Sequence, residues 1–307
     1  MPRYIVLRFF ACAAVLLGST LGVVVPSSTQ AAAEQVATVQ TERALRPDCG
    51  PKRYAKPGGG YWRCSFADNF DGTRLNRNKW HVVTTEDNGY LSGTDACFVD
   101  DPANVFVSNG SLKLRTVTKL LHLCNHPGAL GFLTNYTSGS VTTGDFFKQT
   151  YGRYEFRVKF PESKRSGLHS AVWLYPNRAT YGAWPASGEI DIAERFTSYT
   201  NRLIPYIHYL RNGEEHHDTN EECRVADLSE RFHKIVLIWT VRGMTVKYNG
   251  DVCLKTRTRS DLAANKPFDM PFSVLLTQAL GIGWNPFTPG WTPVPATMTI
   301  DYVRVWR

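Results

Sequence analysis

Short segments with alternating hydrophobic and polar residues recur along most of the chain. In the clearest, residues 153–160, Tyr154, Phe156, Val158 and Phe160 fall on one face and four charged side chains on the other. This period-two pattern is typical of a half-buried strand. Other short apolar runs predict strands at residues 105–107, 111–116, 171–175, 189–192, 203–209, 234–240, 244–248, 272–279 and 297–305.

Turn residues separate these runs, and helical segments are scarce. Asn109-Gly110 and Asn249-Gly250 are typical of hairpin turns. Only residues 227–232 and 261–265 resemble helical turns. A parallel α/β sheet would require helices between its strands. The pattern therefore predicts an all-β fold, a sandwich or a jelly roll.

The N-terminus has the layout of a secretory signal. Arg3 and Arg8 precede a mostly apolar run at residues 9–25, and Ala31-Ala32-Ala33 supplies small residues at a cleavage point. A retained membrane anchor is the alternative. We predict a signal peptide at residues 1–33, an N-terminal extension or linker at 34–60, and one domain at 61–307. After cleavage we expect no stable membrane insertion, and a secreted, extracellular or cell-wall-associated protein.

Composition and charge exclude several other classes. The 307 residues are 43% hydrophobic and 20% charged, as in globular proteins and unlike a wholly disordered or coiled-coil chain. The formal net charge is +8. Because no run of Lys and Arg stands out, a solvated basic surface is favoured over nucleic-acid binding, and acidic glycans or wall polymers stay open.

Six cysteines remain beyond the predicted signal peptide. An even number in an exported chain indicates disulfides. Sequence alone does not fix the pairing, and we expect neighbours to pair as Cys49–Cys64, Cys97–Cys124 and Cys223–Cys253. A zinc site is the alternative, but there is no C-x-x-C motif, and His216-His217 lies near only Cys223.

Three carboxylates, Glu189, Asp191 and Glu194, lie within six residues. The isoleucines between them favour a strand, on which Glu189 and Asp191 face the same side. Glu194 would face the opposite side unless a one-residue β-bulge near Ile192-Ala193 turned it back. Three acids on one face repel one another, so at least one carboxyl should have a raised pKa.

Cleavage of a glycosidic bond requires two carboxyl groups, one protonated and the other ionised. One protonates the leaving oxygen while the other attacks the sugar carbon or activates water. On spacing alone, two other interpretations stay open: a solvated acidic strand face, and an acidic calcium site.

The segment from Trp184-Pro185 through residues 188–194 resembles the signature of glycoside hydrolase family 16. It is similar to the bulged branch that includes laminarinases, the endo-1,3-β-glucanases. Other family-like segments lie in order at residues 68–72 with 79–80, 104–105 with 110–112, 136–139, 151–157 and 301–305. The resemblance implies a concanavalin-like β-sandwich jelly roll with a substrate cleft on its concave face.

The resemblance also implies roles for individual residues. Glu189 would be the nucleophile, Glu194 the acid/base and Asp191 the assisting carboxylate of a secreted retaining endo-β-glucanase for 1,3-linked or mixed 1,3/1,4-linked glucans. The expected substrate contacts are Trp184, His208, Trp173, Asn104 and Gln278. His169-Ser170 stand where the family often has Trp-Pro, so we expect an altered cleft wall.

No cofactor is expected to be required. The resemblance leaves open a structural calcium ion with Asp301 as a ligand, although Asn69 replaces a common Glu there.

Other functions stay open beside the glucanase. The same fold could act on a galactan-type or sulfated polysaccharide, or as a transglycosylase. A second alternative is a non-catalytic, lectin-like carbohydrate-binding protein, which the presence of all three acids disfavours, and a structural wall protein is a third. We expect a polysaccharide substrate, no nucleic-acid partner and a monomer.

Overall fold

Strands dominate the structure, a computed structural model that describes residues 47–93, 96–257 and 266–307. In chain order, the elements are β1 (Cys64–Asp68), β2 (His81–Val82), α1 (Thr85–Asn88), β3 (Leu91–Ser92), β4 (Ala96–Phe98), β5 (Val105–Ser108), β6 (Ser111–His126), β7 (Ala129–Thr142), β8 (Gly152–Lys159), β9 (Leu168–Pro176), β10 (Glu189–Phe196), β11 (Ile204–Arg211), β12 (Glu214–Thr219), β13 (His233–Thr240), β14 (Gly243–Tyr248), β15 (Asp251–Lys255), β16 (Phe272–Leu280) and β17 (Ala296–Trp306). The predicted signal peptide and the predicted helical turn at 261–265 lie outside the described residues. Residues 228–230 form a single turn.

The strands form two antiparallel sheets. The first has the order β5-β6-β17-β8-β13-β14-β15, with β1 beside the far end of β17. The second has the order β2-β7-β16-β9-β10-β11-β12. The β6–β7 hairpin connects the two sheets, and β4 pairs with β7 in parallel. The predicted all-β sandwich is confirmed.

Alternating apolar residues from the two sheets meet in one core. Tyr154, Phe156 and Val158 of β8 are fully buried, as their spacing predicts. They belong to the same apolar cluster as Leu174 of β9 and Ile190 of β10. Each strand therefore turns its opposite face away from the core, and for β9 and β10 that face carries the polar residues described below.

Residues 47–62 cover the outer face of the first sheet. Beneath them lie Arg153 and Glu155, which the alternation places outside the core and which are nevertheless buried. The Arg153 guanidinium stacks 3.9 Å from the Tyr54 ring, and the Tyr54 hydroxyl donates to Glu155 at 3.2 Å. A Cys49–Cys64 disulfide fastens this segment to β1.

Disulfides join the six cysteines in neighbouring pairs: Cys49–Cys64, Cys97–Cys124 and Cys223–Cys253. This is the pairing expected from the sequence, and it leaves none of these thiols to bind zinc. The Cys97–Cys124 bond fastens β4 to the β6–β7 hairpin. Within the described part of the chain, no helix has the length and apolarity needed to cross a membrane.

The β6–β7 hairpin is longer than predicted, because residues 117–135 show little alternation. Several leucines along this stretch are exposed, so burial on one face does not set a period of two there. They are Leu120, Leu121, Leu123, Leu130 and Leu133.

The two residues that the resemblance linked to a calcium ion both contact arginines in the structure. The Asp301 carboxylate accepts a hydrogen bond from Arg157 at 2.6 Å. The Asn69 side-chain oxygen accepts from Arg304 at 2.9 and 3.1 Å. Calcium takes six to eight oxygen ligands, which include backbone carbonyls and waters, so a calcium ion in this region stays a prediction.

Candidate active site

A β-bulge in β10 brings the three acids to one face. Asp191 lies opposite Tyr206 of β11, whereas Glu194 lies opposite Ile204, so three positions on β10 match two on β11. The register with β9 also shifts after Asp191. Ile192 and the following alanine are both fully buried in the core. The predicted bulge is confirmed, and it returns Glu194 to the side of Glu189 and Asp191.

A tyrosine from the opposite sheet supports the bulge. A bulge disrupts the ladder of backbone hydrogen bonds, and a buried carbonyl left without a donor is costly. The Tyr248 hydroxyl of β14 donates to the Ile192 carbonyl at 2.8 Å. Burial raises the pKa of Tyr248, so the hydroxyl keeps its proton. A buried side chain of the opposite sheet therefore stabilises the bulge.

The three acids line a cavity of about 360 Å³. Its walls are largely apolar and aromatic, as is common for sites that bind the flat faces of organic ligands. The cavity residues used below are Tyr90, His169, Trp173, Glu189, Asp191 and Glu194. Trp173 is held in the wall by a hydrogen bond from its indole to Thr277 at 3.0 Å.

Trp184 orients Glu189. The indole Nε1–H donates to Glu189 Oε2 at 2.6 Å. An indole nitrogen can only donate, so this bond favours the ionised carboxylate. Burial and the charge of Asp191 act in the opposite direction and raise the pKa of Glu189. Trp184 itself is 46% exposed.

His208 balances the charge of Asp191. Asp191 is 4% exposed, and its carboxylate lies 3.4 Å from His208 Nε2. Burial and the charge of Glu194 raise the pKa of Asp191. Burial would lower the pKa of His208, but the hydrogen bond and charge of Asp191, with Glu189 and Glu215, raise it to about 9. A cation therefore lies beside the acids at neutral pH.

His169 contacts Glu194. Its Nε2 lies 2.7 Å from Glu194 Oε1, and its ring stacks on Phe196 with centroids 4.6 Å apart. The sequence predicted only an altered cleft wall at His169, and missed this contact with the acid. Strand register could have revealed it, because Ala171 lies opposite Glu194 and a residue two positions away is its diagonal neighbour.

Two expected substrate contacts are corrected by the structure. Asn104 and Gln278 are both fully buried. The Asn104 amide donates to the Arg115 carbonyl and accepts from Thr137. The Gln278 amide accepts from Ser170 and donates to the Ala279 carbonyl. Their polar atoms are used inside the protein, so both side chains hold the strands together and do not face a ligand.

Comparison with known proteins identifies the family. A family model described as glycosyl hydrolases family 16 matches residues 94–304. A glucan endo-1,3-beta-glucosidase A1 from Niallia circulans is 27% identical over 267 residues, which is 79% of this chain and 37% of that protein. A keratan-sulfate endo-1,4-beta-galactosidase from Sphingobacterium multivorum is 31% identical over 56% of this chain and 40% of its own length.

Among solved structures, one reported for endo-acting O-glycanases of the human gut microbiota that initiate mucin breakdown superposes with a TM-score of 0.72. It is 26% identical and covers 84% of this chain and 94% of its own. The chain thus spans well under half the length of the two curated relatives above, but nearly the whole of this structure.

Tyr248→Phe tests whether the bulge depends on its hydroxyl partner. The variant leaves the Ile192 carbonyl buried without that donor, and we expect a loss of about 1–3 kcal/mol in the free energy of unfolding, measured with urea. Tyr154→Phe is the matched control, because that buried hydroxyl donates to the Gln149 carbonyl at 2.9 Å, away from the bulge.

Both phenylalanine variants should lose similar stability. Only Tyr248→Phe should perturb the chemical shifts of His169 and His208, which contact the acids beside the bulge. Unchanged shifts would show that the bulge holds without this hydrogen bond.

Glu189→Gln tests the raised pKa. A carboxyl whose pKa is raised by folding stabilises the protein below its ordinary value of 4.5 and destabilises it increasingly as pH rises above that value. Removing it should therefore raise the melting temperature at pH 8 and change it little at pH 4.5. A change of 1 kcal/mol corresponds to roughly 2–4 °C in a domain of this size.

The exposed Glu162→Gln serves as the control and should shift neither melting temperature. An equal effect of Glu189→Gln at both pH values would contradict the raised pKa.

Proposed function

The chain belongs to glycosyl hydrolase family 16, and from this membership we propose that it is a retaining endo-β-glucanase that cleaves 1,3-linked or mixed 1,3/1,4-linked glucans. The observation that carries the proposal is the bulge, which gathers Glu189, Asp191 and Glu194 on the wall of one cavity. Glycosidic cleavage requires two such carboxyl groups in different protonation states.

In the first step, Glu189 attacks the anomeric carbon. The bond from that carbon to the leaving oxygen breaks, and Glu194 gives its proton to this oxygen. The Trp184 indole favours the ionised form of the attacking carboxylate, against the burial and the Asp191 charge that raise its pKa. The product is a glycosyl ester of Glu189 together with a shortened glucan.

In the second step, Glu194 acts as a base. It takes a proton from water, which attacks the anomeric carbon and releases Glu189 as a carboxylate. Two successive displacements at the same carbon retain its configuration. When Glu189 regains its negative charge, the charge of Asp191 repels it. The cationic His208 beside Asp191 reduces this repulsion.

The relatives support glucan as the substrate without narrowing it to one linkage. The Niallia relative is named for endo-1,3-β-glucosidase activity. A galactan-type or sulfated polysaccharide is the second candidate, since the Sphingobacterium relative is named for keratan sulfate and the net charge of this chain is +8. The three disulfides support a secreted protein, because such bonds persist in oxidising compartments.

Glu189→Gln and Glu194→Gln should each lower the release of reducing sugar by at least about 10²-fold. The first removes the group that bonds to the sugar, and the second removes the group that transfers the proton. The substrates are laminarin, lichenan, agarose and keratan sulfate, tested side by side. We expect hydrolysis of laminarin, lichenan or both. Glu162→Gln, an exposed substitution, should behave as wild type.

Proton NMR of the fresh product should show the β-anomer. Near wild-type turnover in either variant, or the α-anomer as first product, would reject the double displacement. Preferred hydrolysis of agarose or keratan sulfate would favour the second candidate, and binding to a glucan without turnover would favour a lectin-like protein.

His169→Phe tests whether His169 positions Glu194. Phenylalanine preserves the stack on Phe196 and removes the contact with the carboxyl group. We expect kcat/KM to fall about tenfold or more on a glucan, whose leaving oxygen needs a proton, and much less on a nitrophenyl glycoside, whose leaving group does not.

His169→Gln, which keeps an N–H group at similar reach, should recover part of the loss. An equal loss on both substrates would mean that His169 only shapes the cavity.

A further inference from the structure

A second group of potential ligands lies beside the three acids. It consists of His208 on β11 together with Glu215 and His217 on β12. Each residue offers one ligand atom, and these atoms all lie within 4.8 Å of one another. The mechanism above uses His208 only through its contact with Asp191, and it does not use Glu215 or His217.

Strand register brings these three side chains together. His208 lies directly opposite His217, and Glu215 is two residues before His217 and therefore on the same face. His208 also lies opposite Glu189 of β10. The ligand group is thus a lateral continuation of the catalytic face, one strand further from the acids. His216 points to the other face, where it stacks on Tyr209.

The contacts of His208 resemble those of a metal-bound histidine. Its Nε2 faces the Asp191 carboxylate at 3.4 Å, while its Nδ1 lies 3.1 Å from Glu215 Oε1. A histidine that binds a metal through one nitrogen usually donates the other N–H to a carboxylate, which fixes the ring and its tautomer. Asp191 is placed for this role, and it leaves Nδ1 directed toward Glu215. Because His208 is protonated at neutral pH, an ion that binds Nδ1 releases the proton of that nitrogen to water.

We propose that His208, Glu215 and His217 bind a divalent transition-metal ion of the zinc class. Two imidazoles and one carboxylate form a set that zinc uses, with water as the fourth ligand. Around such an ion the ligand atoms lie roughly 3.3 Å apart. Glu215 and His217 are exposed, so small rotations of their side chains suffice to reach this spacing.

The position of the ion gives it a consequence for turnover. A bound cation would lie next to the His208–Asp191 pair, on the face of the sheet that also carries Glu189. It would hold His208 by Nδ1 and place positive charge beside the nucleophile, so we expect zinc to slow hydrolysis reversibly. This consequence rests on the proposed function, whereas the binding itself does not.

Isothermal titration calorimetry with zinc chloride tests the site, using the untagged full chain after treatment with EDTA. Wild type should bind one zinc ion, and His217→Ala should weaken binding at least about tenfold through the loss of a ligand. His216→Ala is the matched control, since it removes the adjacent histidine from the opposite face. Circular dichroism checks that both variants fold.

Binding in wild type and in His216→Ala, with loss in His217→Ala, supports the site. No binding to wild type, or an equal loss in both variants, overturns it.

Turnover on laminarin, measured for each variant with and without zinc, then tests the consequence. Inhibition of wild type that EDTA reverses, and that His217→Ala reduces, supports it. If calorimetry shows binding but zinc leaves an active enzyme unaffected, the inhibition is overturned and the metal site stands. If no substrate is hydrolysed, the proposed function fails, and the calorimetric result is unaffected.

Discussion

One hydrogen bond across the sandwich, from Tyr248 to the carbonyl of Ile192, underlies the arrangement of the acids. Without the bulge, a regular strand would turn Glu194 into the core, among Ile190 and Ile192. An ionised carboxyl is costly there. The core thus provides a donor at the place where β10 departs from regular geometry, and a residue behind the sheet supports the face that carries the three acids.

Each acid on that face contacts a different side chain. The Trp184 indole favours a charged Glu189, the His208 cation offsets Asp191, and the His169 imidazole contacts Glu194. Three like charges in a buried space would otherwise repel strongly. Because every carboxyl has its own polar partner, the three acids lie in three different electrostatic environments.

Much of this site could be predicted from the sequence, because its determinants are local. The spacing of Glu189, Asp191 and Glu194 fixes their faces, and the need for a bulge follows from counting along one strand. Predicting the Glu194–His169 contact required the register of β9 against β10, because the two residues lie on different strands, 25 positions apart. Burial of Asn104 and Gln278 could not be predicted either, since a polar amide looks the same in sequence whether it binds a ligand or a neighbouring strand.

The segment at residues 47–62 bears on how the chain can be trimmed. Its glycines at 58–60 look like a natural place to cut, but Cys49 and Tyr54 lie before them and are part of the fold. A shortened chain beginning at Tyr61 would leave Cys64 as an unpaired thiol and open the ion pair of Arg153 and Glu155 to water. A shortened chain that keeps the sandwich intact therefore has to begin ahead of Cys49.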